Sequence, residues 1–218
     1  MRELRYTFLS DGPADKALLP ALTWLLREQG VKIAIQSSWA DLRRLPIPPK
    51  TLSARMLRSI ELYPCDLLFV HRDAETEPHQ KRVNEIKTAI TYIAQKTLMP
   101  PVVCVVPVRM QEAWLLFNEP AVRRASGNPN GKIPLQIPRI DSLERIADPK
   151  SLLNELVREA SGLSGRRRKN LPVSSYAQRV LEFVDDFSPL RKLTAFAALE
   201  YEVRQVVADH LMASFPQK

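Results

Sequence analysis

The stretch Asp66–Glu75 changes abruptly from apolar to ionisable residues. Four apolar residues, Leu67–Val70, are followed closely by His71, Asp73 and Glu75. A continuous apolar run of this length is typical of a strand buried on both faces, as in a parallel sheet covered by helices. Ligands of open α/β sheets bind just beyond the carboxyl ends of strands, so we expect these three polar residues to lie at a functional site. The alternative is a strand that ends in a solvated turn.

Strand-like and helix-like patterns alternate along the first half of the chain. Further strands are predicted at Leu4–Leu9, Val31–Ile35 and Val102–Val106, with helical spacing of apolar residues between them. This alternation predicts right-handed crossovers and an α/β fold: a Rossmann-like, four-stranded, mainly parallel sheet flanked by helices. From residue 109 onward the pattern is helical with turns, and helices are predicted at Pro149–Ala160, at about Ser174–Asp185 and at Thr194–Met212. We therefore expect an α/β core over residues 1–108 and a helical C-terminal half, residues 109–218, packed on it.

Charge and cysteine content suggest the partners and the cellular compartment. Lys and Arg number 32 against 24 Asp and Glu, a net charge of +8, which favours nucleic acid as a partner but also serves solubility. Cys65 and Cys104 fall at predicted buried strands, as reduced cysteines do in a reducing cytoplasm. The sequence has no signal-peptide pattern and no apolar run of membrane-spanning length. We expect a cytoplasmic protein without a membrane association.

Acidic residues follow three of the four predicted strands. Asp11 and Asp15 follow the first strand, Asp73 and Glu75 the third, and Glu112 comes shortly after the fourth. The carboxyl ends of parallel strands share one edge, so these carboxylates should converge. Carboxylate oxygens are the ligands that Mg²⁺ and Mn²⁺ prefer, and a cation relieves their mutual repulsion. The sequence therefore predicts a site for Mg²⁺ or Mn²⁺, while for each acid the alternative is a helix cap or a solvated turn.

These motifs resemble those of TOPRIM nucleases. Asp11–Asp15, which reads Asp-Gly-Pro-Ala-Asp, resembles the first TOPRIM motif, and His71–Asp73 resembles the second, usually Asp-x-Asp. Glu112 matches the later acid of OLD-type TOPRIM nucleases. Residues 109–116 and 127–131 are similar to an uncharacterised bacterial TOPRIM-like family. Related families are often encoded beside ABC-type ATPases in phage-defence loci.

The resemblance implies a TOPRIM-like core and metal-dependent cleavage of phosphodiester bonds in DNA or RNA. Asp15, Asp73 and Glu75 would hold metal, Asp11 would be a ligand or an acid–base group, and Glu112 would hold a second ion. It further implies an antiphage role with an ABC- or AAA-type ATPase as partner.

Two residues depart from the TOPRIM motifs. Asp11 stands where Glu is usual, and His71 stands where Asp is usual. As a metal ligand, His71 suits Mn²⁺, Zn²⁺ or Fe²⁺ better than Mg²⁺. The alternative function is therefore a catalytically inactive nucleic-acid-binding or assembly module. The sequence leaves open the choice between DNA and RNA, the mode of cleavage and the oligomeric state, including a homo-oligomer.

A basic tract is the densest charge run of the chain. It reads Gly-Arg-Arg-Arg-Lys and predicts a clamp on phosphate groups that gives affinity without sequence specificity. Other arginines that follow the fourth strand would extend this surface toward the carboxylates. The alternative for the tract is a solvated loop. The predicted nucleic-acid-binding residues are Arg109, Arg123, Arg124, Arg166, Arg167, Arg168 and Lys169.

Overall fold

A four-stranded parallel sheet organises the chain. The computed structural model describes residues 3–211. Its strands lie in the order β2-β1-β3-β4, and every neighbouring pair is parallel. The α/β class predicted from the sequence is confirmed, with a wholly parallel sheet. The strands are β1 (Glu3–Leu9), β2 (Ala34–Trp39), β3 (Leu67–His71) and β4 (Val102–Val105).

Helices connect the strands and make up the C-terminal half, as predicted. The α-helices are α1 (Leu19–Glu28), α2 (Leu52–Leu62), α3 (His79–Ala94), α4 (Glu119–Ala125), α5 (Pro149–Ala160), α6 (Gly165–Lys169), α7 (Val173–Ala177) and α8 (Thr194–Val206). Shorter 3₁₀ segments are Pro13–Leu18, Gln111–Leu115, Ile140–Arg145, Val180–Phe183 and Ser188–Lys192, and a π-helical turn covers Val207–Leu211. No helix within residues 3–211 is both long and apolar enough to cross a membrane.

Strand β2 begins later than its sequence predicts. The predicted strand started at Val31, but the N–H of Val31 donates to the carbonyl of Leu26 at 3.2 Å, so it still belongs to the end of α1. Gly30 provides the left-handed turn there, with φ of 86°. The strand pairs with β1 only from Ala34, opposite Glu3.

The two faces of the sheet are covered by different layers. All residues of β3 are buried, as a central strand with helices on both faces requires. On one face, residues such as Phe8 and Phe69 pack against α1, α8 and the C-terminal half. On the other face, residues such as Val70 pack against α2 and α3. The first face forms one continuous hydrophobic core from residue 4 to residue 207.

Two predicted helices of the C-terminal half are shorter than their apolar spacing suggested. The pattern over residues 174–185 divides into α7 and the 3₁₀ turn Val180–Phe183, because spacing alone does not distinguish one helix from two turns that share a buried face. The predicted helix Thr194–Met212 is α-helical only to Val206. Met212 lies outside the described residues.

Candidate active site at the carboxyl edge of the sheet

The carboxyl ends of β1 and β3 form a crevice in the middle of the sheet. The two strands are neighbours, but the chain leaves β1 toward α1 on one face and β3 toward α3 on the other. Such a reversal is the usual place for a ligand in an open parallel sheet. Asp15 follows β1, and His71 and Asp73 end and follow β3 at this point.

His71 lies at the centre of the crevice, with 2% of its surface exposed. Its Nδ1 is 3.5 Å from Oδ2 of Asp15, and its Nε2 is 3.3 Å from Oδ1 of Asp73. Neither contact has the alignment of a hydrogen bond. Burial alone disfavours the imidazolium, but the flanking carboxylates outweigh it and raise the pKa of His71 to about 9. At neutral pH the crevice therefore holds a buried cation between two carboxylates.

Asp15 has both a capping role and a place in the crevice. Its Oδ2 accepts the backbone N–H of Gly12 at 2.9 Å, which closes the first turn of the Pro13–Leu18 segment. Burial opposes ionisation of Asp15, but contacts with His71 and the Gly12 N–H lower its pKa overall. Asp15 therefore both caps this turn and lies at the predicted site.

Gln111 joins the two carboxylates and was not predicted as a site residue. Its side-chain Nε2 donates to Oδ1 of Asp15 at 2.7 Å, and its backbone N–H donates to Oδ1 of Asp73 at 2.9 Å. Its Oε1 is buried and has no hydrogen-bond partner within residues 3–211. The only sequence signal was its position beside Glu112, because an amide carries no charge that would mark it.

Two strained residues hold the loops of the crevice together. Glu75 and Arg109 have φ of 55° and 65°, which non-glycine residues rarely adopt. The N–H of Glu75 donates to the carbonyl of Arg109 at 2.6 Å. This bond ties the loop after β3 to the loop after β4, and it places Gln111 next to Asp73.

Glu112 is a third buried carboxylate beside the crevice, with 8% exposure. Its Oε2 has no hydrogen-bond partner in the described residues. Burial raises the pKa of Glu112, and the charges of Asp73 and Asp15 raise it further, while Lys150 acts in the opposite direction. The charges of Asp15 and Asp73 therefore reach the carboxyl group of Glu112.

The other two predicted acids face arginines instead. Asp11 is about half exposed and contacts Nη1 of Arg55 at 2.5 Å and Nε of Arg72 at 3.2 Å. Glu75 is exposed and lies 3.6 Å from Nη2 of Arg82. The structure therefore separates Asp11 and Glu75 from the group around His71.

The predicted basic residues also differ in their surroundings. Arg123 is buried, and its guanidinium contacts Glu119 at 2.6 Å and donates to the carbonyl of Ile133 at 2.6 Å. It is therefore held inside the fold. Arg124, Arg166, Arg167 and Lys169 are exposed, while Arg109 and Arg168 are partly buried.

The crevice contains the oxygen atoms that a hard divalent cation prefers as ligands. These atoms are not arranged so that they could bind one ion together. The charges of Asp15 and Asp73 act on Glu112, and the buried acceptors Oε2 of Glu112 and Oε1 of Gln111 have no hydrogen-bond partner among the described residues. Within residues 3–211, however, no three His, Cys, Asp or Glu side chains are placed so that they could together hold a metal ion. His71 occupies the space between two of the carboxylates.

The fold and the crevice define a class of protein: a parallel α/β protein with a buried, polar site at the carboxyl edge of its sheet. Comparisons with family models, with curated proteins and with solved structures gave no match to this chain.

Proposed function

We propose that the chain is a divalent-metal-dependent nuclease that hydrolyses phosphodiester bonds in DNA or RNA. The supporting observation is that Asp15 and Asp73, from the loops after two strands, flank the buried His71, and that their charges act on Glu112, from the loop after a third strand. Carboxylates withdrawn from water repel one another unless a cation compensates them. Their oxygens are the donors that Mg²⁺ and Mn²⁺ prefer.

In this proposal Asp15, Asp73 and Glu112 hold the metal. Bound Mg²⁺ or Mn²⁺ would polarise a phosphoryl oxygen and lower the pKa of an attacking water. The side chain of Gln111 keeps Asp15 oriented, and its backbone N–H does the same for Asp73. Because His71 lies between the two aspartates, metal binding requires the imidazole to move or to lose its proton.

Cations near the crevice would bind the phosphate groups of the substrate. Arg55 and Arg72 are held beside the carboxyl edge by Asp11, and Lys150 lies near Glu112. An acid–base role for Asp11 would require it to leave these arginines. The exposed basic tract of α6 would contact more distant phosphates without reading sequence.

The resemblance to TOPRIM families supports two further parts of this proposal. The first is an ABC- or AAA-type ATPase as partner, and the second is a role in antiphage defence. Cleavage assays should therefore include any ATPase encoded beside this chain.

A catalytically inactive nucleic-acid-binding module is the second candidate. Its supporting observation is that His71 lies between Asp15 and Asp73 where a metal would be expected, in a setting that raises the pKa of the imidazole. Metal binding separates the two candidates, because only the nuclease requires it.

The test combines metal binding with cleavage. Thermal unfolding is measured in EDTA, in millimolar Mg²⁺ and in millimolar Mn²⁺, because a ligand that binds only the native state raises the unfolding midpoint. Cleavage is measured on plasmid DNA, linear DNA and RNA with each metal. Asp73→Asn is the test variant because its amide oxygen can still accept the Gln111 N–H. Asp141→Asn, an exposed aspartate of the C-terminal half, is the matched control.

The proposal expects a higher midpoint with metal, and cleavage by the parent and by Asp141→Asn but not by Asp73→Asn. An unchanged midpoint together with intact substrates would favour the inactive module. Equal cleavage by the parent and Asp73→Asn would place the activity elsewhere.

A further inference from the structure

A small cavity adjoins the crevice on its C-terminal side. Its volume is about 130 Å³, and its walls come from both halves of the chain. Glu112 forms part of the wall, opposite residues of α5 and α7. The polar residues that line it, besides Gln111 and Glu112, are Lys150, Asn154, Ser174 and Gln178.

Two partly buried side chains of this cavity carry amide groups. Asn154 and Gln178 are partly buried, and neither side chain has a hydrogen-bond partner in residues 3–211. An amide group offers both donors and an acceptor, so a pair of them can recognise a ligand edge that carries both kinds of group. The buried Oε1 of Gln111, which has no hydrogen-bond partner in the part of the chain that the structure describes, is a further acceptor in the same wall.

The remaining walls are apolar. They include Ala17, Leu115 and Leu153, all buried. Apolar walls with a few polar groups at one side are typical of sites for flat, partly polar ligands. The nearby carboxylate of Glu112 disfavours an anion, so a phosphate group is a poor occupant of this cavity. A nucleobase has the required combination of an apolar face and a polar edge.

The volume limits the occupant to a single ring system. A cavity of about 150 Å³ is large enough to bind benzene, and this cavity is of similar size. A base pair is too large to enter. A base can therefore enter only when it is unpaired, at a strand end, in single-stranded nucleic acid or after extrusion from a duplex.

The basic tract is attached to the same helices. Arg168 of α6 lies 3.7 Å from Glu155, the neighbour of Asn154 on α5, and the tract leads within four residues to α7. A strand whose phosphates contact Arg166 and Arg167 would thus run beside the helices that frame the cavity.

We infer that this cavity binds one unpaired nucleobase of the substrate next to the bond that is cleaved. This inference rests on the proposed nuclease function and narrows its substrate to nucleic acid with an unpaired nucleotide. Asn154 and Gln178 bind the polar edge of the base, the apolar walls cover its faces, and Lys150 binds the adjacent phosphate.

The test is a binding experiment in EDTA, so that no cleavage occurs. Fluorescence anisotropy compares a labelled single-stranded oligonucleotide with a blunt duplex of the same sequence and length. The test variant is Asn154→Leu with Gln178→Leu, and Gln178→Glu is a milder second variant. Gln136→Leu, an exposed amide outside the cavity, is the control. Thermal unfolding verifies that each variant is folded.

The parent should bind the single strand more tightly than the duplex. The double variant should lose about tenfold in affinity for the single strand, which corresponds to about 1.4 kcal/mol, and should keep its affinity for the duplex. Gln178→Glu should lose affinity in the same direction, while Gln136→Leu should behave as the parent.

Equal affinity of the parent for both oligonucleotides, or an equal loss for both in the double variant, would overturn the inference. Failure of the inference is distinguishable from failure of the proposed function. A chain that cleaves without preferring single strands refutes only the base site. A chain that never cleaves, but whose preference for single strands depends on Asn154 and Gln178, keeps the base site and refutes the nuclease.

Discussion

Five acidic residues follow strands at one edge of the sheet, but they fall into two groups. Asp15 and Glu112 are buried and Asp73 is partly buried, and the charges of Asp15 and Asp73 raise the pKa of both Glu112 and the buried His71. Asp11 and Glu75 are more exposed and pair with arginines. Desolvation disfavours the ionised forms of Asp15 and Glu112, while solvent and arginines stabilise those of Asp11 and Glu75. The same residue type at equivalent strand ends can therefore have different chemistry.

The rate of cleavage should show the largest difference between substitutions in the buried group of acids and substitutions in the exposed group. Asp73→Asn should reduce the rate by more than about 100-fold, because even partners outside the metal ligands cost about 10- to 100-fold. Asp11→Asn should reduce it by less than about tenfold, since Arg55 and Arg72 remain beside the crevice. The measurement is initial cleavage rate at saturating Mn²⁺. Equal losses for both variants would remove the distinction between the groups.

The free energy of unfolding should depend on pH through the titration of the buried His71. The raised pKa of His71, about 9 against an ordinary 6.5, means that its contribution is complete below about pH 6.5 and is lost as the pH rises through about 9. The shift corresponds to a contribution on the order of 3 kcal/mol to the free energy of unfolding. Urea unfolding at pH 6, 7.5 and 9.5 measures it. In His71→Gln this fall in stability should be absent; a fall as large as in the parent would assign it to other groups.

Glu112→Gln should stabilise the metal-free protein at neutral pH. Burial and the charges of Asp73 and Asp15 raise the pKa of Glu112, so the parent loses stability as the pH rises above the ordinary value of 4.5. The variant lacks this titration, and its unfolding midpoint at pH 7 in EDTA should be higher by on the order of a few degrees. The gain should disappear near pH 4. A lower midpoint at pH 7 would show that Glu112 is stabilised by its surroundings.

Asp11→Asn should have the smallest effect on stability. Its carboxylate is about half exposed, and ion pairs of that kind contribute less than about 1 kcal/mol. Urea unfolding in low and high salt measures the difference, which should shrink as salt screens the pair. A loss as large as that of His71→Gln would place Asp11 in the buried group.

Much of the fold was predictable from local pattern. The apolar run before His71 identified the central strand because a strand covered on both faces needs apolar residues at successive positions. Helix α5 was predicted with its observed bounds, Pro149–Ala160, because Asp148 caps its first turn and its apolar stripe is regular. The start of β2 was wrong because the residues after α1 satisfy their backbone groups on the helix, which apolar pattern does not reveal.

The site was predictable only in part. Acids at the strand ends and the convergence of those ends follow from sequence order and parallel topology. The role of Gln111 was missed because its two bonds reach residues 96 and 38 positions away. The burial of Arg123 was missed because arginines are usually exposed unless an acidic partner pairs with them. Here the partner is Glu119, and the sequence does not show that the two side chains form an ion pair.

The sequence by itself determined the α/β class and the edge of the sheet where polar residues gather, since both depend on the order and periodicity of neighbouring residues. Only the tertiary structure decided which acids are withdrawn from water, which cations they contact and that the C-terminal half closes a cavity against the Pro13–Leu18 segment. Burial and electrostatic coupling depend on distances between segments that are far apart in the chain, and those distances are set by packing of the whole core.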